Sequence, residues 1–146
     1  MQRISTLDDI AAALDALCLQ DPRLEAVRRM SGEIPLRLSE PGFASLVSII
    51  VSQQVSRASA DAIFGRLSAL ASPLTPQALL DGGDALYRAA GLSRPKQRTL
   101  VALSQAVAGG FDLDRLCGIG AEEAMAEMIA VPGIGPWTAQ VYLLFS

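Results

Sequence analysis

A chain of 146 residues with 51% hydrophobic letters has the length of one domain and enough apolar matter for a core. With no histidine, Ser-His and Cys-His nucleophile pairs are excluded; Cys18 and Cys117 lack Cys-x-x-Cys spacing, which argues against a zinc site or disulfide framework and fits two buried small hydrophobes. The net charge of −3 predicts no broad field for a nucleic acid, which counts against such a partner unless local donors supply the contact.

No apolar run approaches the roughly eighteen residues of a membrane span. Met1 to Gln20 carries three acids among its apolar letters and does not read as a signal peptide. A soluble, cytoplasmic chain forming a single domain over residues 1–146 is the expectation.

Periodicity is helical from the start. Thr6 and Asp9 make a capping-box-like entry to a helix over Leu7 to Leu19, with Leu7, Ile10, Ala11, Leu14 and Leu17 on one stripe. Asp21-Pro22 opens a short second helix, and Glu33 to Glu40, which contains Pro35, reads as an extended connection. Pro41 suits the first turn of a buried helix carrying Phe43, Leu46, Val47, Ile50 and Val51. Ser56 can cap the next helix, whose inner face is Ala60, Ile63, Phe64 and Leu67, before Ser72 to Pro76 breaks the pattern. Thr75-Pro76 starts another short helix. Gly82-Gly83, Gly91 and Gly109-Gly110 punctuate the later part of the chain, and no segment alternates with period two. The expectation is an all-α domain of roughly eight to ten helices, mostly short.

Three stretches stand out on the way. Ser52-Gln53-Gln54-Val55-Ser56 places two flexible amides at a helix junction, where they are either solvated or functional. Arg94-Pro95-Lys96-Gln97-Arg98, a local concentration of positive charge, begins a helix that Ser93 could cap, and such a cluster is ordinarily a solvated helix start. The third stretch runs from Ile129 to Ala139. Ala121 to Ile129 before it is rich in helix formers, and Pro136 to Phe145 after it again reads as helix, with Pro136 in the first turn. Between them, Pro132 cannot continue the first helix, while Gly133 and Gly135 can take backbone angles closed to other residues and leave no side chain in a ligand's way. Bare N–H groups beside a helix N-terminus form an anion site, and the Thr138 hydroxyl can add a hydrogen bond to a phosphate. The plain alternative is a turn between two packed helices.

Val131-Pro132-Gly133-Ile134-Gly135, followed by Pro136-Trp137-Thr138-Ala139, resembles the helix-hairpin-helix of the DNA glycosylase superfamily, and Gly133 to Ala139 looks like its 3-methyladenine DNA glycosylase II branch. The resemblance runs from roughly Pro41 onward. It implies a multi-helix glycosylase fold that binds damaged double-stranded DNA through Gly133, Gly135 and Thr138. It also implies that Gln53 and Gln54 enter the duplex from the minor groove and fill the gap left by an extruded nucleotide. Gln suits that gap because its amide carries both donors and an acceptor. Gly91-Leu92-Ser93 with Lys96 and Leu100 resembles a recurrent family segment, read chiefly as packing and secondarily as phosphate contact.

Trp137, the only tryptophan, would by itself be read as core. In bifunctional glycosylase/lyase relatives the corresponding position carries a Schiff-base lysine. Here the sole lysine is Lys96, which selects the monofunctional, water-using reaction and makes Trp137 a base-pocket residue whose indole faces a cationic, alkylated base. Helical geometry puts Gln140, Val141 and Leu144 on its side and Tyr142 elsewhere; an aromatic that some relatives carry at the Val141 position is missing here. The resemblance further implies no required cofactor, although the carbonyls of Ile129, Val131 and Ile134 suit a monovalent Na or K ion. The family's catalytic Asp is expected beyond Ser146, so that the chain as given is a truncated and inactive enzyme, able to dimerise through an exposed C-terminal helix where a complete one would be monomeric. A nucleoid association follows if the source is bacterial. The alternatives are a non-catalytic DNA-binding module using the same hairpin and a helical protein-interaction domain.

Overall fold

The computed structural model describes residues 4–145; Met1 and Ser146, on which the leader and terminus readings partly rest, lie outside the described residues. Among these residues there are nine helices and no strand. The chain divides into two compact units, one reaching to Leu38 and the other beginning at Ser39.

The first unit holds α1 (Leu7–Gln20) and α2 (Leu24–Ser31). The expected capping box is there: the Thr6 hydroxyl accepts from the Asp9 N–H at 3.1 Å, and the Asp9 carboxylate accepts from the Thr6 N–H at 2.9 Å. Backbone and hydroxyl donors from Ser5 and Thr6 hold the Asp9 carboxyl below its ordinary range. Arg28 on α2 pairs with Asp15 on α1 at 2.6 Å. The α1 stripe is not buried as its pattern suggests. Leu7 is 62% and Leu17 47% exposed, because the apolar face of α1 is longer than an eight-residue α2 can cover.

The second unit carries α3 (Phe43–Ser52), α4 (Arg57–Leu70), α5 (Pro76–Ala90), α6 (Arg94–Ala108), α7 (Leu113–Leu116), α8 (Ala121–Ile129) and α9 (Pro136–Phe145). Helix α3 is its centre: Leu46, Val47, Ile50 and Val51 are buried, and α3 packs on α4, α6 and α9. The last two helices have the bounds read from the sequence.

Several local readings change. Pro41 precedes α3 instead of entering its first turn. Gly42, at φ +115, occupies the cap, and its N–H donates to the buried Tyr142 hydroxyl at 2.8 Å. Helix α5 is long, but it breaks at Gly83 (φ +52), so the glycine pair does punctuate it. Ser93 sits at the cap of α6 without a side-chain capping bond. Both cysteines are half-buried, not core residues. At the end of α9, Tyr142 is fully buried and only Leu144 is strongly exposed, while the Phe145 carbonyl accepts from the Ser39 N–H at 2.6 Å.

Candidate functional site

The link between α8 and α9 is a tight turn with a mechanical reason for each residue. Val131 and Ile134 are 5% and 3% exposed and pin the turn to the core. The Ile134 N–H donates to the Val131 carbonyl at 3.0 Å, with Pro132 second and Gly133 third in the turn. Gly133 has φ +89, so the pattern is that of a type II turn, which favours Pro and then Gly at these positions. Gly133 also packs on α6, since a Cβ there would lie 2.9 Å from the Thr99 Cβ and 3.0 Å from its Cγ2. Gly135 differs. It has no positive φ, and a Cβ would meet nothing within 4 Å, so the expectation of special backbone angles at both glycines holds only for Gly133. The Gly135 carbonyl accepts from the Ala139 N–H at 3.1 Å, which makes it the residue that opens α9. Among the described residues, neither the Gly133 nor the Gly135 N–H is committed to a carbonyl.

The Ser52–Ser56 junction lies against the same structure. Ser56 caps α4 by accepting from the Ser59 N–H at 3.2 Å. Gln54 has φ +54, the one non-glycine residue with positive φ among those described, and its side chain is exposed. Gln53 is half-buried, and its amide nitrogen donates to the Thr138 hydroxyl at 2.6 Å. That bond joins a junction and a hairpin-proximal helix 85 residues apart in sequence. Thr138 is only 3% exposed, so its hydroxyl is spent inside the protein and is not presented to a phosphate as the sequence suggests. Of the two junction amides, only that of Gln54 is left exposed.

No family model matches the chain. Its structure is similar to the DNA-3-methyladenine glycosidase of Bacillus halodurans, with 36% identity and a TM-score of 0.78 over 88% of this chain and 61% of that one. It is also similar to Schizosaccharomyces pombe 3-methyladenine DNA glycosylase (Mag1) in complex with abasic DNA, at 25% identity and a TM-score of 0.71 over 84% of this chain and 62% of that one. The curated DNA-3-methyladenine glycosylase 1 of the same yeast is 29% identical over 112 residues, 71% of this chain and 48% of that protein. In sequence and in fold the chain is similar to 3-methyladenine DNA glycosylases. It spans about half the length of this curated relative. The all-α glycosylase fold expected from the hairpin is the one observed.

Set against that family, the basic segment at the start of α6 is mostly structural. Lys96 donates to the Val51 carbonyl at 2.7 Å, at the end of α3, and partial burial pushes its ammonium below the ordinary lysine range. Gln97, 5% exposed, donates to the Leu92 carbonyl at 2.7 Å. Arg94 reaches the Asp84 carboxylate at 3.0 Å. Arg98 is exposed and makes no ion pair among the described residues, which leaves it as the cation of this segment not engaged by the protein. This agrees with the reading of the segment as chiefly packing; the sequence does not signal the partner, because the acceptor is a backbone carbonyl 45 residues away.

Trp137 is 56% exposed, which removes core packing as the reason for this tryptophan. It shares the outer face of α9 with exposed Gln140 and Leu144, whereas Thr138, Ala139 and Tyr142 form the inner face, as the helical period requires. No Asp or Glu side chain hydrogen-bonds to a residue of the hairpin or the Ser52–Ser56 junction among the described residues.

Proposed function

We propose that this chain is the DNA-gripping and base-extruding core of a monofunctional DNA glycosylase that hydrolyses the N-glycosidic bond of alkylated purines such as 3-methyladenine. The observation that carries the reading is the joining of two devices. One is a hairpin with uncommitted N–H groups at Gly133 and Gly135, and the other is a strained junction exposing Gln54. The N–H groups hold a phosphate at the start of α9, which lets a chain of net charge −3 bind DNA without a basic field. Gln54 enters the stack as the nucleotide leaves it. The similar Mag1, in complex with abasic DNA, supports a DNA-binding role for this core by analogy.

Exposed Trp137 then meets the extruded base. An alkylated purine is cationic, and an indole face attracts it more than its neutral counterpart. The N-glycosidic bond breaks and its electron pair returns to the base, whose positive charge is thereby neutralised; water bonds through its oxygen to C1′ and gives up one proton to solvent, leaving a sugar hydroxyl. Little acid catalysis is needed for such a leaving group. The absence of an amine at position 137 and the engagement of Lys96 with Val51 favour hydrolysis over Schiff-base lyase chemistry. The carboxylate that stabilises the oxocarbenium-like sugar is expected after α9 in chain order, outside residues 4–145.

The carbonyls of Ile129, Val131 and Ile134 would be the ligands of a monovalent cation, the Val131 oxygen keeping a lone pair beyond the one that accepts from Ile134. A bound Na or K ion would add positive charge beside the phosphate.

Binding to a duplex bearing a tetrahydrofuran abasic analogue next to 2-aminopurine tests the proposal. Tighter binding than to undamaged duplex, with a rise in 2-aminopurine fluorescence, is expected. Equal affinity for both duplexes and no fluorescence change would refute it.

A further inference from the structure

Gln53 and Gln54 are adjacent and chemically identical, yet the structure treats them differently. Gln53 is half-buried and bonded at 2.6 Å to the hydroxyl of Thr138, itself 3% exposed; Gln54 is exposed and held at φ +54. A residue that fills an extrusion gap needs an exposed and uncommitted amide, and that of Gln53 is half-buried with its nitrogen bonded to Thr138. A left-handed φ on a non-glycine residue persists only where neighbours over-determine it. Two neighbours do so here. At the carboxyl end of α3, the Lys96 ammonium donates to the Val51 carbonyl at 2.7 Å and fixes the last turn before the junction. One residue before Gln54, the Thr138 hydroxyl holds Gln53.

Thr138 lies three residues beyond Gly135, on the helix that the hairpin opens. The hydrogen bond therefore runs from the element that grips the DNA backbone to the element that enters the stack. We propose that Gln53 is not a second wedge but a positioning residue, and that its bond to Thr138 sets the registry between the phosphate held by the hairpin and the Gln54 side chain. The inference rests on the reading of Gln54 as the wedge.

The bond can be removed without touching the DNA-facing surface, because Thr138→Val keeps the shape of a buried side chain. With the 146-residue chain and the 2-aminopurine duplex, Thr138→Val should lower the fluorescence rise at saturating protein about fivefold, the population change that one lost hydrogen bond produces. Affinity for undamaged duplex, set by the hairpin, should stay within about twofold of the parent. Thr138→Ser, which restores the hydroxyl, should restore the signal. Gln53→Met, at a half-buried position that tolerates an apolar side chain, should match Thr138→Val, and the double variant should be no worse than either. Parental fluorescence in Thr138→Val or Gln53→Met, additive losses in the double variant, or a parallel fall of duplex affinity would each overturn the positioning role. Gln54→Ala separates the two ideas. If it keeps the parental signal, the wedge reading fails; if it abolishes the signal while Thr138→Val does not change it, only the positioning role fails.

Discussion

Replacing Gly133 with alanine should destabilise this protein far more than the same change at Gly135, though both glycines belong to one hairpin. Two costs add at Gly133. The backbone sits at φ +89, where an L side chain is disfavoured by about 1–2 kcal/mol. The new methyl would also overlap Thr99, lying 2.9 Å from its Cβ and 3.0 Å from its Cγ2. Thr99 cannot simply swing away, because its Cβ is fixed by α6 and its hydroxyl donates to the Pro95 carbonyl at 3.2 Å. Overpacking of this kind costs about 1–3 kcal/mol, so the total is about 2–5 kcal/mol, a large share of a typical domain's stability. At Gly135 there is neither a positive φ nor an atom within 4 Å, and alanine should leave stability within about 1 kcal/mol of the parent. Urea denaturation followed by helical circular dichroism measures both. Adding Thr99→Ala to Gly133→Ala, with Thr99→Ala alone as reference, should recover the part of the overlap made by the Thr99 hydroxyl and Cγ2 and leave the Cβ contact and the backbone cost. A Gly133→Ala midpoint equal to the parent's would refute the reasoning, since neither the turn conformation nor the α6 contact could then be as described.

The complementary expectation is that Gly135→Val weakens binding to all duplex sequences alike while leaving the fold intact; unchanged affinity in a titration would remove the hairpin as the backbone grip. Gln54→Gly should stabilise the protein by about 1 kcal/mol by relieving its positive φ, yet abolish the 2-aminopurine signal, and a loss of stability would show that the junction is not strained. Burial pushes the Tyr87 and Tyr142 hydroxyls above the ordinary tyrosine pKa, so above about pH 10 the unfolded chain releases protons that the folded chain retains. The tyrosine contribution to stability should therefore be constant below that pH and fall above it. Tyr142→Phe should show a shallower alkaline decline in denaturant midpoint than the parent, and an identical decline would contradict the sign. Trp137→Leu should reduce affinity for a duplex carrying a cationic alkylated base more than for its neutral counterpart, with little change in stability because the side chain is 56% exposed.

Local chemistry was legible in the sequence wherever neighbouring residues decide the outcome. The Thr6–Asp9 capping box, the Ser56 and Thr75 caps, the bounds of α8 and α9 and the Pro132-Gly133 turn are all set by interactions within four residues, which the order of letters records directly. The buried face of α3 and the outward face of Trp137 relative to Tyr142 come from the 3.6-residue period. Tertiary structure alone decided how otherwise similar residues divide their work. Gln53 and Gln54 read alike until Thr138 arrives from 85 residues away to hold one of them. Gly133 and Gly135 read alike until α6 places Thr99 against only the first. The segment with Lys96 reads chiefly as packing and does pack, but only the fold shows its partner, a carbonyl that any residue would have offered at position 51. Such contacts leave no pattern along the chain, because the partner is a backbone atom or a lone hydroxyl whose distance is set by the packing of whole helices.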